Sequence, residues 1–302
     1  MIEKKKACAI LLAAGIFCGI AADTSAAFPF AKKAETDVIE EDFTPRRGRY
    51  APTAAQGWYY PHRTDGIQPP IPPEMQYIEK YDGYCIDKTH NSMAEGERVI
   101  YLTFDAGYEN GNVARILDVL KEKDVPAAFF ILENLVKSNT ELVQRMAAEG
   151  HLVCNHTARH RDMTKMDRDG FAAELSAMEQ IYTEITGEKL APYYRPPEGK
   201  TNEDNLRWAK ELGYKTIFWS YAYADWDNER QMDPAKALDK LMTGLHNGEV
   251  LLLHPTSATN AAILSAFIDA LVEKGFRFGT LDELTGSTTD KTEMEQGVCA
   301  DA

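Results

Sequence analysis

The stretch Val99-Ile100-Tyr101-Leu102-Thr103-Phe104-Asp105-Ala106-Gly107-Tyr108-Glu109-Asn110 decides how the rest of the chain is read. Its first half is a run of β-branched, aromatic and apolar residues of the kind a buried strand carries. The run stops on Asp105, and Gly107 permits a sharp turn two residues on. A buried strand that ends in a carboxylate and a glycine puts a charge at a strand mouth, where α/β folds keep their chemistry. An ordinary strand end with a turn-forming Asp would look the same in isolation. Here the arrangement recurs downstream, each time with a different reactive residue.

Outward from that stretch the chain keeps a strand–helix rhythm. Strands are predicted over 99–104, 127–132, 151–154, 193–195, 216–222, 250–253 and 276–279. Helical patterns separate them. The first starts near Asn112, with Val113, Ile116, Leu117 and Leu120 on one face; others start near Thr140 and Asp169. Further helices are expected around 206–212, through Leu238, Leu241 and Leu245, and through Ile263, Phe267 and Leu271. Gly150, Gly187, Gly213, Gly248 and Gly275 end most of them and feed straight into the next strand. Such alternation means a parallel sheet covered by helices. Seven units without a dinucleotide fingerprint predict an α/β fold built as a (β/α) barrel, an incomplete seven-stranded one, over 99–285.

Upstream, Lys4, Lys5 and Lys6 precede an apolar run to Ala22, and small residues follow at Ser25, Ala26 and Ala27. This is the layout of a secretory signal peptide over 1–27, cut after Ala27. The competing reading, an uncleaved anchor, has a run shorter than the roughly 20 residues of a comfortable span. Residues 28–56 read as a flexible linker. Residues 57–98, rich in Trp, Tyr and Pro, read as an irregular N-terminal arm packing on the barrel, with an aromatic sugar platform as the alternative. The acidic segment 286–302 is expected to be a disordered tail. The net charge of −14 argues against nucleic acid and anionic membrane surfaces as partners. Removing the signal leaves Cys85, Cys154 and Cys299, too few and too scattered for a disulfide framework. A secreted monomer with no membrane contact beyond the signal segment is expected.

The C-terminal strand ends carry Asp105, then Asn155-His156-Thr157 with His160, then Arg195-Pro196-Pro197-Glu198-Gly199, then Asp225-Trp226, then His254-Pro255. In a barrel these ends converge on one face. His156 and His160, four apart, would share one side of a helical turn and could hold a metal ion; capping or surface polarity explains the pair equally well. Asp105 is a candidate general base on an activated water, with Arg195 orienting it and keeping it ionised. His254 is a candidate acid, with Asp225 fixing its tautomer and raising its basicity. A carboxylate base and a histidine acid about a water make an amide or ester hydrolase.

Thr103-Phe104-Asp105-Ala106-Gly107-Tyr108, His156-Thr157-Ala158-Arg159-His160, Arg195-Pro196-Pro197-Glu198-Gly199, Asp225-Trp226 and Leu251-Leu252-Leu253-His254 resemble the five motifs of polysaccharide deacetylases, the NodB-homology group or carbohydrate esterase family 4. With Gly57-Trp58, Gln68-Pro69-Pro70, Lys80 to Tyr84, Phe218-Trp219-Ser220 and Gly107 to Asn110, the chain is similar to the delta-lactam-biosynthetic de-N-acetylase branch. The resemblance implies removal of the N-acetyl group from N-acetylmuramic acid in the peptidoglycan glycan strand, on the way to the muramic δ-lactam of spore cortex. An N-acetylglucosamine polymer as substrate, or a silent glycan-binding protein, are the alternatives. Two positions depart from the family pattern. Ala106 replaces the Asp that serves as third metal ligand, so a zinc-like divalent metal on His156 and His160 would be weakly held. Arg161 replaces a Pro, which reshapes a loop.

Overall fold

The computed structural model describes residues 53–94 and 96–287. The expected signal peptide over 1–27, the expected linker up to 52 and the expected tail from 288 lie outside the described residues.

Among the described residues eleven strands alternate with eight helices. In chain order the strands are β1 (Gln56–Gly57), β2 (Gly83–Tyr84), β3 (Arg98–Ala106), β4 (Ala128–Ile131), β5 (Leu152–Asn155), β6 (Ala191–Tyr194), β7 (Lys200–Thr201), β8 (Lys215–Ile217), β9 (Tyr221–Ala222), β10 (Glu249–Leu253) and β11 (Phe276–Phe278). The helices are α1 (Val113–Glu122), α2 (Glu133–Ser138), α3 (Thr140–Ala148), α4 (Arg168–Thr186), α5 (Glu203–Glu211), α6 (Pro234–Gly244), α7 (Ala258–Glu273) and α8 (Leu281–Thr285). The starts of α4, α5 and α7 are set by side-chain caps. Asp167 accepts from the Gly170 amide at 2.9 Å, Asn202 from Asn205 at 2.8 Å, and Ser257 from Asn260 at 3.1 Å.

The main sheet runs β2-β8-β6-β5-β4-β3-β10-β9, every ladder parallel, with β11 beside the start of β3. It curls into an incomplete (β/α) barrel. All seven expected strands are present, and the sheet has nine because of two local events. Residues 216–222 are split by a bend at 218–220, and the arm contributes β2, which pairs with β8 through Gly83 opposite Thr216. A tenth and an eleventh strand, β1 and β7, form a separate antiparallel pair that joins the arm to the segment after β6.

Alternation along β3 sorts its side chains. Ile100, Leu102 and Phe104 join the apolar layer under α1 and α7, while Val99 and Tyr101 face the barrel interior with Phe130, Cys154 and Tyr193. Each such side chain removed from water is worth roughly 1.5–3 kcal/mol. Thr103 and Asp105 continue the inward series, so Asp105 emerges on top of the interior column. The arm packs Trp58, Tyr60, Met75 and Ile78 into a second apolar cluster with Leu206 and Phe218. Cys85 and Cys154 are free and buried. No helix among the described residues is long and apolar enough to cross a membrane.

The two ends of the described chain leave from opposite faces of the barrel. Thr53 bonds Asp204 at the start of α5, on the side of the C-terminal strand ends. Ser287 bonds Lys215, the first residue of β8, on the other side.

Candidate active site

Strand register assembles the site. Phe104 of β3 pairs with Leu253 of β10, so the next residues outward, Asp105 and His254, emerge on neighbouring strands. Neighbouring strands run roughly 4.8 Å apart. On the other flank Ala106 pairs with Ile131, Ile131 with Asn155, and Asn155 with Tyr194. His156 and Arg195 are each one residue beyond that line. Asp105, His156, His160, Trp219, Trp226 and His254 all line one cleft of about 810 Å³.

Arg195 is wholly buried beneath this cleft. Its Nη1 donates to Asp105 Oδ1 at 2.8 Å, Nη2 to Thr103 Oγ1 at 2.9 Å, and Nε to the Ile217 carbonyl at 3.0 Å. Its guanidinium carbon stands 4.1 Å over the centre of the Phe130 ring. Burial alone would push the Asp105 carboxyl up; the Arg195 charge, with His156 and His254, outweighs it and holds Asp105 below the usual carboxylate range.

His254 faces Asp225. Its Nδ1 is 2.8 Å from Asp225 Oδ1, and its backbone N–H donates to Oδ2 at 2.8 Å. Burial pulls the imidazole down, but the Asp225 hydrogen bond and charge, then Asp105, carry it above its ordinary value. Asn260 of α7 completes the arrangement, donating to Asp225 Oδ2 at 2.6 Å and to the His254 carbonyl at 3.1 Å. Tyr223 donates to the Asn260 oxygen, which fixes the amide's orientation. Sequence reading missed Asn260 and Tyr223. Trp219, which also lines the cleft, entered it only through the family resemblance.

His156 and His160 come together without the helical turn expected for them. Residues 156–161 form a loop in which Thr157 and His160 have φ of 72° and 54°. The loop is held by Asn155 Oδ1 accepting from the Thr157 amide at 2.8 Å and Thr157 Oγ1 accepting from His160 N at 3.0 Å. The two ring centres are 5.0 Å apart. Burial pushes the His156 imidazole down to about 4, so it is neutral at neutral pH. Nδ1 of His156, 2.9 Å from the Arg195 carbonyl, carries its one proton, and Nε2 is left as a lone pair 3.5 Å from Asp105 Oδ2.

A catalytic zinc takes three protein ligands and an open position. Here the residue after Asp105 is Ala106, a buried methyl at the cleft wall. Asn155 spends its amide nitrogen on the Leu175 carbonyl and the Tyr214 hydroxyl, and its oxygen on Thr157. The Glu109 carboxylate accepts from the Gly111 and Ala114 amides at the start of α1. Among the described residues no three His, Cys, Asp or Glu side chains are grouped to hold a metal ion. The donors present therefore do not fit a three-ligand zinc site.

Residues 92–217 match the family model described as polysaccharide deacetylase. The chain is 39% identical over 207 residues to a peptidoglycan-N-acetylmuramic acid deacetylase of Bacillus subtilis, covering 68% of this chain and 76% of that protein. Its fold is similar to the solved structure of the Bacillus subtilis family 4 carbohydrate esterase PdaA, with a TM-score of 0.73 and 35% identity over 78% of this chain and 99% of that one. A family 4 carbohydrate esterase from Bacillus anthracis gives a TM-score of 0.63 and 35% identity over 79% of this chain and 100% of that one. With this fold, these motifs and this identity, the chain belongs to the polysaccharide deacetylases, the family 4 carbohydrate esterases, hydrolases of N-acetyl amide bonds on sugars.

Proposed function

We propose that this protein is a secreted peptidoglycan N-acetylmuramic acid de-N-acetylase, with Asp105 as base and His254 as acid. The observation that carries the reading is the pairing of opposite charge states in one cleft. Arg195 holds the Asp105 carboxyl below the usual carboxylate range, which favours its charged form, and Asp225 raises the His254 imidazole above its ordinary value, which favours its protonated form. The relative's activity on N-acetylmuramic acid supports the choice of sugar.

In the proposed reaction Asp105 takes a proton from water as its oxygen attacks the acetyl carbon. The C–N bond then breaks, and His254 gives its proton to the departing sugar amine. One water is consumed, and one acetate and one amine are formed. Asp105 is left protonated and His254 neutral, and a proton passed back through solvent restores both. Arg195 and Asp225 touch neither water nor acetyl group; they set the charge and aim of the two groups that do.

Deacetylases of this family are in general metal-dependent. His156 and His160 are the residues that would hold a divalent ion, and without a third ligand they would hold it weakly. The freed amine lies beside the lactyl carboxyl of the same muramic acid, and closing a six-membered lactam gains several kcal/mol from that placement. This supports a role on the way to the muramic δ-lactam of spore cortex. Acetate release from intact peptidoglycan, amidase-treated glycan and chitin oligomers tests the reading. Fastest release from amidase-treated glycan is expected, and preference for chitin oligomers would overturn it.

A further inference from the structure

The cleft wall opposite His254 is held from outside the segment that matches the family model. Glu198, Gly199 and Trp219 line that wall. Glu198 sits in the left-handed region, with φ of 56° and ψ of 14°, a conformation uncommon for a residue with a side chain. Its carboxylate is paired with Lys200 at 2.5 Å. Gly199, at φ of 65°, is wedged between the Trp219 ring and the Cβ of Trp58. A Cβ there would stand 2.7 Å from the Trp219 ring and 2.8 Å from the Cβ of Trp58.

Trp58, in the arm, touches every part of this wall's support. Its backbone N–H donates to the Gly199 carbonyl at 2.9 Å, extending the β1–β7 pair. Its indole N–H donates to the Trp219 carbonyl at 2.8 Å. Its ring stacks on Phe218 with centres 4.4 Å apart. The Phe218 carbonyl in turn accepts from Arg195 Nη2 at 3.3 Å, and the Trp219 ring lies 5.8 Å from the same guanidinium. Trp58 is itself buried and outside residues 92–217.

We propose that Trp58 is a positioning residue for substrate, clamping the left-handed turn at Glu198 and the Trp219 indole into the cleft wall. The wall it builds, an aromatic face beside the exposed Glu198 carboxylate, suits a pyranose ring, with its C–H face on the indole and a hydroxyl donating to Glu198. The proposal rests on the deacetylase reading for its substrate, and on geometry alone for the clamp. Because Trp58 touches the wall directly and Asp105 only at two removes, through Phe218 and Arg195, its loss weakens glycan binding more than it slows the chemical step.

Two measurements test this on Trp58→Ala, Trp58→Phe and Gly199→Ala in the full chain. In amide hydrogen exchange, Trp58→Ala is expected to speed exchange at 197–201 and 218–220 by about tenfold or more, leaving 251–260 unchanged. In kinetics on amidase-treated glycan, KM is expected to rise by about tenfold with kcat within about threefold, and Trp58→Phe, which keeps the stack and loses the indole donor, recovers part of the loss. Gly199→Ala should reproduce the KM effect, and together with Trp58→Phe it decides the matter if Trp58→Ala does not fold. Unchanged exchange at 197–201, an unchanged KM, or exchange that rises evenly over the whole chain would overturn the proposal. If the wild-type protein releases no acetate from any muramic-acid glycan, the deacetylase reading fails, and the exchange experiment still decides the clamp.

Discussion

His254 and Asp225 meet twice: imidazole Nδ1 and backbone N–H of the one each lie 2.8 Å from a different carboxylate oxygen of the other. The carboxylate thus fixes both the position and the tautomer of the ring. As an acid, His254 acts only while protonated, and its value is raised above the usual one, so the alkaline limb of activity should lie above pH 6.5. Asp225→Asn removes the two largest raising influences and leaves burial, which lowers, opposed by the Asp105 charge alone. That limb should therefore move to lower pH, with kcat reduced by about 10²-fold. A pH profile of acetate release measures both, and a limb that stays in place would exclude His254 as the acid.

Asp105→Asn keeps the shape and the Arg195 contact and removes the proposed base. Turnover should drop by about 10²–10⁴-fold while glycan still binds. Acetate release and a binding titration on the same preparation separate the two. A variant retaining a tenth of wild-type turnover would end the assignment.

Asn260 holds Asp225 Oδ2 and the His254 carbonyl with one amide nitrogen. Asn260→Leu leaves Asp225 short of a donor and free to turn. A loss of about tenfold in kcat with KM little changed is expected, and Tyr223→Phe should give a smaller loss of the same kind. Equal losses in kcat and in thermal stability across both variants would point to packing alone.

With two imidazoles and a methyl where a third ligand would stand, the protein should carry well below one zinc per chain after exhaustive dialysis. Ala106→Asp should retain zinc at close to one equivalent, because position 106 lines the cleft. Elemental analysis decides the case, and stoichiometric zinc in the wild-type protein would show that another group completes the site.

His151 is buried against Phe129, their ring centres 5.4 Å apart, and neither ring nitrogen has a hydrogen-bond partner. Burial pushes its value down to about 4. Between the ordinary value of 6.5 and about 4 the unfolded chain binds a proton that the folded one refuses, so stability falls as pH falls through that window. His156 and His246 act in the same direction. Glu249, raised by burial to about 8, acts in the opposite one, its contribution fading as pH rises from 4.5. His151→Leu should flatten the loss of melting temperature from pH 6.5 to 4.5, and an unchanged slope would put the acid sensitivity elsewhere.

The strand ends were legible because burial writes itself into sequence: a run such as Val99 to Phe104 must be apolar, and a charge that interrupts it at Asp105 stands out. The same logic reached Arg195 and His254. It failed wherever the information is not local. His156 and His160 meet through two left-handed residues, Thr157 and His160, which no helical spacing encodes. Residues 216–222 look like one strand, and only packing against the arm shows the bend at Trp219. Asn260 reads as an ordinary polar residue in the first turn of α7, where its backbone N–H does serve the Ser257 cap. Its side chain reaches Asp225, 35 residues back, and nothing in its neighbourhood announces that.

The opposite exits of Thr53 and Ser287 have a practical consequence. A purification handle joined directly to residue 53 would leave the barrel on the side of the cleft, where a long glycan must enter. A handle placed after residue 287 leaves from the far side. Immobilised by that end, the protein presents its cleft outward, which is the orientation in which an insoluble cell-wall sacculus can reach it.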